Sequence, residues 1–492
     1  MIKADNTTRE RAGALLRAGL LCATLAGCAA VPTRPEPPVP LPERFVAPAE
    51  APAGDAVAVA DRWWTSFGDE RLELLVEAAV SDNPAIGQAV AQTEIAAAQA
   101  RIARADLFPQ VSAALAASRQ RQNLAGLGPI GALPGTPGGD LPSGFTFNNF
   151  STALEVQWEL DIWGLLSSQT AAARADFLAS AENLRATRQA IAAQAGRLYF
   201  QVVESRAQLA VAQTTEAALT EIERQIANRA RAGIAPPSDQ LLASANLGAA
   251  QAGVEQRREA LEQATRQFEI LLRDYPAGTI ATPDTLPAVP PPPPAGLPAD
   301  LLVRRPDVAA AELSLHAAGY RLEASRRSFL PGIGLTGSIG TASQDIGRLF
   351  DPGSLVWTIA GRLLQPIFQG GRLRAQVRSA EGQRDEALEV YAEVALQALS
   401  EVETALAIEQ VLARREAASD TAARAAEGAV EIAFNRYREG LDPFLNVLEA
   451  QQRALDSRSA QIATRRARLE NRINLHLALG GDFVAPAEAT RN

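Results

Sequence analysis

Two cysteines, two histidines and one methionine are the whole supply of these residues in a chain of 492. Cys22 and Cys28 both lie near the N-terminus, so no disulfide can staple the body of the chain. His316 and His476 stand far apart, without a cluster of acidic or thiol residues around either, and both read as packing or surface residues. That leaves no metal site and no histidine-dependent triad, so neither an enzyme nor a protein with a cofactor is expected. Aromatic residues make up 5%, a poor supply for filling a globular core. Beyond Cys28 there is no run of about eighteen apolar residues, which excludes a membrane-spanning helix and leaves strands as the way to cross a bilayer. Positive charge is short too: 47 Lys and Arg face 56 Asp and Glu, and the formal net charge of -9 disfavours nucleic acid as a partner.

What is present begins with Lys3, Arg9, Arg11 and Arg17, followed by the apolar run "AGLLCATLAGC". A basic stretch before an apolar segment too short to span a bilayer predicts a secretory signal over residues 1–27. "LAGC" at Leu25 to Cys28 resembles the bacterial lipobox, which implies a lipid on Cys28 as the first mature residue. Ala29 follows it, not the aspartate associated with inner-membrane retention. Loss of the signal removes four basic and two acidic side chains and takes the charge from -9 to -11. A proline-rich tether over 28–60 and a second proline-rich strap over 283–299 cannot be helical.

The strongest pattern is internal. "RAGIAPPSDQLLASA", from Arg231 to Ala245, returns as "REGLDPFLNVLEAQQ", from Arg438 to Gln452, at an offset of 207 (438 minus 231). Gly233 and Gly440, Pro236 and Pro443, and farther upstream Gly164 and Gly371, keep the same offset. Pro84 and Pro306, like Pro109 and Pro331, stand at 222 (306 minus 84). The 15 extra residues of the first copy (222 minus 207) fall in the Gly/Pro-rich "LAGLGPIGALPGTPGGDLPSG", which reads as a long loop. The chain is thus two copies, 61–282 and 300–482, joined by the strap and followed by a tail, 483–492. Each copy reads as helix, strand, strand, long helix, turn and shorter helix.

From about Leu165 to Ala232 there is no proline, and Phe177, Leu184, Ile191 and Leu198 recur every seven residues, with Val202 and Leu209 continuing the stripe. Sevenfold spacing among many alanines favours closely packed, supercoiled helices, here roughly 100 Å long. Strands are predicted over about Val111 to Arg119, Phe147 to Ile162, Ile333 to Thr341 and Leu355 to Phe368. In "FSTALEVQWELDI", Phe150, Thr152, Leu154, Val156, Trp158, Leu160 and Ile162 share one face, while Glu155, Gln157, Glu159 and Asp161 share the other. That alternation outlasts a soluble strand and suits one with lipid on one side and water on the other. Four strands cannot close a membrane barrel, and an open edge in lipid is forbidden, so the barrel must be shared between chains.

Together these elements resemble the outer-membrane factors of tripartite efflux and type I secretion systems, the TolC, OprM and NodT kind, and especially the lipoprotein branch paired with resistance-nodulation-division pumps. The resemblance rests on "DRWWTSFGDERLELLVEAAVSDNP", "LLVRRPDVAAAELSLHAA", "SFLPGIGLTGSIG" and "AFNRYREGLDPFLNVLEAQQRAL" and covers nearly the whole mature chain. It implies an α+β membrane protein: a homotrimeric channel-tunnel with a twelve-stranded barrel in the outer membrane, continued by long helices into a periplasmic α-barrel. It further implies a passive exit duct that meets a periplasmic adaptor and an inner-membrane resistance-nodulation-division pump. The competing reading is the adaptor itself, also often a lipoprotein, but an adaptor has one helical hairpin between small β-rich halves.

The resemblance also assigns sites. The repeated turns become the periplasmic tip, with Gly233, Pro236 and Pro237 in one turn and Gly440, Pro443 and Phe444 in the other as adaptor contacts. The family's constriction falls on Tyr437, Asp442, Leu445, Asn446, Glu449 and Gln452, with Asp239 matching Asn446 across the repeat. Asp442, Asn446 and Glu449 follow spacings that put them on one helical face, where Leu445 would add an apolar plug.

Overall fold

The computed structural model describes residues 42, 44–46, 62–123, 144–293 and 298–481. The signal, Cys28, most of the tether, the Gly/Pro-rich loop over 124–143, residues 294–297 of the strap and the tail lie outside the described residues. The chain divides into two units, Met1–Pro40 and Leu41–Asn492, and every described residue belongs to the second.

The first copy opens with a 3-10 turn at Trp63–Phe67 and continues through α1 (Glu70–Asp82), α2 (Pro84–Ala105), β1 (Gln110–Asn123), β2 (Gly144–Leu160), α3 (Leu165–Arg231) and α4 (Pro237–Leu271). The second runs α5 (Pro298–Arg304), α6 (Pro306–Arg327), β3 (Gly332–Ser343), β4 (Leu355–Leu364), α7 (Arg372–Arg438) and α8 (Phe444–Ala478). Both long helices have 67 residues and both shorter ones 35, so the duplication has kept its lengths. Even single bonds repeat. Asn83, the N-cap of α2, donates from Nδ2 to the Leu271 carbonyl at 2.8 Å. Its counterpart Arg305, the N-cap of α6, donates from Nη1 to the Ala478 carbonyl at 3.3 Å, and each carbonyl closes the last turn of its copy's shorter helix. Arg305 also bonds Asp307 at 2.6 Å and Glu401 at 2.7 Å, which explains why "RRPDV" stands at the head of α6.

The four strands form one antiparallel sheet in the order β1-β2-β3-β4. Its register aligns the alternation of all four. Opposite one another stand Val111, Val156, Gly337 and Ile359, then Ala113, Leu154, Ile339 and Trp357, and these rows share one face. The other face carries rows such as Ser112, Glu155, Ser338 and Thr358. Paired residues of neighbouring strands point the same way, so the sheet has one apolar side and one largely polar side. On β2 the apolar rows run from Phe150 to Leu160, and beyond them the same side turns polar with Arg119, Arg121 and Asn148. Ten steps of strand at about 3.4 Å, tilted by about 40°, give a band roughly 26 Å tall, matching the ~25 Å apolar belt of membrane barrels. Trp158 sits near the rim of that band, and its indole N–H donates to the Leu107 carbonyl at 3.0 Å, a place at the interface and not at the midplane. β4 stops at Leu364, short of the expected Phe368, because Pro366, two residues on, has no N–H for a ladder.

Below the sheet, three apolar clusters hold the helices. The largest gathers Trp63, Trp64, Phe67, Tyr199, Phe200 and Phe268 with Ile191, Leu198 and Val202 of the sevenfold stripe. The scarce aromatics are therefore concentrated here, with Phe67 and Phe200 centroids 5.3 Å apart. Leu286 of the strap closes this core. A second cluster joins α5, α6, α7 and the end of α8, and Phe45 of the tether packs on it while the Val46 N–H donates to Glu403 at 2.7 Å. A third lies at the two turns. Among the described residues no helix is long and apolar enough to cross a membrane.

Candidate functional site at the helical turns

Each long helix ends in the same way. Ile234 N–H donates to Arg229 O at 2.9 Å and Gly233 N–H to Ala230 O at 3.0 Å; in the second copy Leu441 N–H donates to Arg436 O at 2.9 Å and Gly440 N–H to Tyr437 O at 3.0 Å. This paired Schellman pattern needs a left-handed residue, supplied by Gly233 (φ 73°) and Gly440 (φ 76°). Pro236 and Pro443 then open the return helices in extended conformation, and Asp239 N–H and Asn446 N–H donate back to their carbonyls. The apolar residue after each glycine, Ile234 at 66% and Leu441 at 61% exposure, projects into solvent.

The two turns of one chain lean on each other through side chains. Tyr437 is buried beside Phe444, ring centroids 5.3 Å apart, in a cluster with Leu219, Ile222, Ile226, Ala243 and Val447. Its hydroxyl donates to Asp239 at 3.3 Å, and burial together with the Asp239 charge pushes the phenol upward. The Arg229 guanidinium lies 5.4 Å from the Tyr437 ring centre and donates to the Arg438 carbonyl at 3.0 Å. A hydrogen-bonded phenol and a cation over its face tie the second hairpin to the first.

The expected constriction residues separate into three groups. Tyr437 and Asp239 are brought together as that tie. Asp442 is not on the open helix face: it precedes α8 and turns back to take Arg436 in a forked pair, 2.6 Å to Nε and 3.3 Å to Nη2. The Arg436 bond holds its carboxyl below the ordinary range. Leu445, Asn446, Glu449 and Gln452 stay exposed along one stripe of α8, opposite the buried Phe444 and Val447. Phe444, expected among the contact residues, is 2% exposed and supports the turn from beneath. Arg229 and Arg436, repeat counterparts, were missed from sequence; their common offset of 207 was the available signal.

A sheet with one lipid-compatible side and two unpaired edges, set above helices ~100 Å long that end in turned tips, defines an outer-membrane channel of the TolC-like kind. The chain belongs to the outer membrane efflux protein family, whose model matches residues 75–273 and 297–481. It is 33% identical over 475 residues to outer membrane protein OprJ of Pseudomonas aeruginosa, covering 94% of this chain and 95% of that protein. It is 29% identical to the cation efflux system protein CusC of Escherichia coli, over 93% of this chain and 96% of that one. Among solved structures, CusC superimposes with a TM-score of 0.79 at 27% identity, covering 92% of this chain and all 100% of the other. A membrane protein from Pseudomonas aeruginosa does so at 0.79 and 32%, covering 91% and 98%. The chain is an outer-membrane efflux channel component, and the adaptor reading falls away.

Proposed function

We propose that three copies assemble into one twelve-stranded barrel in the outer membrane and one helical tunnel in the periplasm, a passive and non-enzymatic duct anchored by a lipid on Cys28. The observation that carries this reading is the four-stranded sheet with a continuous apolar side and two unpaired edges. In lipid such edges need partners, and only further copies supply them. The domain division follows: signal 1–27, tether 28–60, copies 61–282 and 300–482 joined by the strap 283–299, and the tail 483–492.

The tip is the gate. Glu449 and Asn446, exposed on α8 with Leu445, converge on the threefold axis, where three Glu449 carboxylates favour cations and Leu445 narrows the opening. The Tyr437–Asp239 and Arg436–Asp442 bonds hold the hairpins in the closed arrangement. A periplasmic adaptor docks around Ile234 and Leu441 beside Gly233, Pro236, Pro237, Gly440 and Pro443, and an inner-membrane resistance-nodulation-division pump delivers the cargo. Single-channel recording in planar bilayers tests the gate. Leu445→Ala with Asn446→Ala is expected to raise basal conductance at least several-fold, and Glu449→Gln to weaken cation preference. Unchanged conductance and selectivity in both variants would move the constriction to the first-copy turn around Asp239.

A further inference from the structure

Just below the apolar band, between α6 and α7, lies an open cleft of about 520 Å³ lined by Arg326, Phe329, Arg374, Val377 and Arg378. Both of its walls belong to one chain. Arg326 donates to Glu381 at 3.2 Å, whereas Arg374 and Arg378, both exposed, have no acidic partner among the described residues. Three guanidiniums against one carboxylate leave a local charge of +2 (3 minus 1).

The cleft opens on the lipid side of the wall. Leu355, Trp357, Ile359, Gly361 and Leu363 form the apolar side of β4, and Gln365 is the next position of that alternation. Its Nε2 donates to the Phe329 carbonyl at 2.9 Å, which ties Phe329 to the same side. Trp158 and Leu107 make the corresponding bond in the first copy. Phe329 and Leu330 are 40% and 43% exposed there. Arg326 stands one helical turn, about 4.5 Å, farther from the bilayer than Phe329. Arg374 lies in the first turn of α7 and Arg378 one turn on. A headgroup layer is about 5–8 Å deep on each side of the hydrocarbon, so the aromatic ring falls at its inner boundary and the guanidiniums within it.

We propose that this cleft binds the phosphate of an anionic phospholipid in the periplasmic leaflet of the outer membrane, with Arg374 and Arg378 on the phosphate oxygens and an acyl chain against Phe329 and Val377. The site rests on the reading that the apolar side of the sheet faces lipid in a shared barrel, and adds to it a specific lipid. Guanidinium forks match phosphate oxygens two at a time and keep their charge at any physiological pH. Basic pockets between helices at a membrane surface hold anionic headgroups in this way. Helix packing does not require these arginines. Arg104, Leu107, Ser167, Thr170 and Ala171 hold the corresponding positions of the first copy, so one arginine of the three recurs. There Thr170 donates to the Ala103 carbonyl at 3.1 Å, and Asp161 supplies a carboxylate to the start of α3 where the second copy has Phe368. The first junction carries its own anion, and the second leaves its cations unmatched.

Native mass spectrometry of the full-length lipoprotein, released in mild detergent and supplied with phosphatidylglycerol, tests the site. One tightly held lipid per chain is expected, and inorganic phosphate in excess is expected not to displace it, because a free anion lacks the acyl contact. Arg374→Gln with Arg378→Gln is expected to lower retention about tenfold or more, and Arg378→Glu alone gives a second reading should the double variant fail to fold. Arg104→Gln, at the first-copy counterpart of Arg326, is expected to leave retention unchanged. Equal retention in the arginine variants, or an equal loss in Arg104→Gln, overturns the site, and displacement by inorganic phosphate overturns the lipid in favour of a free anion. Outer-membrane fractionation and oligomer mass are measured in parallel. Trimers in the outer membrane that hold no lipid overturn the site alone, whereas monomers throughout overturn the shared barrel on which it rests.

Discussion

At corresponding positions the two copies solve the same backbone problem with different chemistry. Where β2 passes into α3, Asp161 accepts from the N–H groups of Leu166 at 2.9 Å and Ser167 at 2.8 Å. Arg327 donates to the Gly164 carbonyl and the Ser168 hydroxyl, each at 2.6 Å, and Trp163 Nε1 donates to the Pro331 carbonyl at 2.8 Å. The second junction, from β4 into α7, has Phe368, Gly370 and Ala375 at the positions of Asp161, Trp163 and Ser168. Its helix starts without a side-chain cap at Gly371, and apolar side chains stand in the open. The first copy satisfies its junction with side-chain bonds, and the second leaves Ile367 and Phe368 exposed.

The same contrast recurs at the far end of the shorter helices. Glu269 is buried and accepts from the N–H groups of Gly278 and Thr279, both at 2.7 Å. Burial alone would raise its carboxyl, but these backbone donors hold it below the usual value. Its counterpart His476 is equally buried, stacked on Trp63 with centroids 5.7 Å apart, and neither ring nitrogen has a hydrogen-bond partner among the described residues. Burial first, and Arg472 second, push its imidazole down to about 4.

The largest expected effect comes from that difference. Unfolded His476 titrates near 6.5, while the folded chain keeps it neutral to about 4, so the unfolded state binds the extra proton between those values. Stability is therefore fully present above pH 6.5 and falls by about 3 kcal/mol as the pH drops to 4. Thermal unfolding in detergent across that range measures the slope, and His476→Phe is expected to flatten it. An unchanged slope in the variant would assign the acid sensitivity to other groups.

Next come the junction glycines. Gly164 (φ 79°) and Gly371 (φ 87°) both sit where a side chain is strained, so alanine costs each about 1–2 kcal/mol. At Gly164 the new Cβ would also meet Arg327 Nη1 at 2.5 Å, whereas nothing lies within 4 Å of Gly371. Displacing Arg327 from its two bonds is expected to make Gly164→Ala the worse by about a further 1–2 kcal/mol in denaturant melts. Equal costs would mean that Arg327 moves aside freely. The smallest effect is Asp161→Ala, about 1 kcal/mol for a lost helix cap, against a near-zero change in monomer stability for the exposed Phe368→Ala.

Much of this was legible beforehand because it is written in spacing. The predicted long helix at Leu165 to Ala232 is the observed Leu165–Arg231, since helix propensity and a closing glycine are local signals. The β2 alternation survives because period two is a property of any strand. The tip was legible in its backbone, glycine and proline, but not in its contacts. Asp442, Asn446 and Glu449 share a helical spacing, yet α8 begins at Phe444, so Asp442 lies outside the helix and bonds Arg436 instead. The small aromatic fraction argued against a globular core, and only the fold could show that Trp63, Phe67, Phe200 and Phe268 meet in one place from three segments.

The sequence by itself determined the duplication, the element order, the turns and the apolar side of β2, because these depend on residues close in the chain or repeated at a constant offset. Tertiary structure alone decided the ladder registers, the tie from Tyr437 to Asp239 and the burial of His476 against Trp63. Each joins residues from distant segments, and the free energy of such a contact depends on geometry that no local pattern encodes.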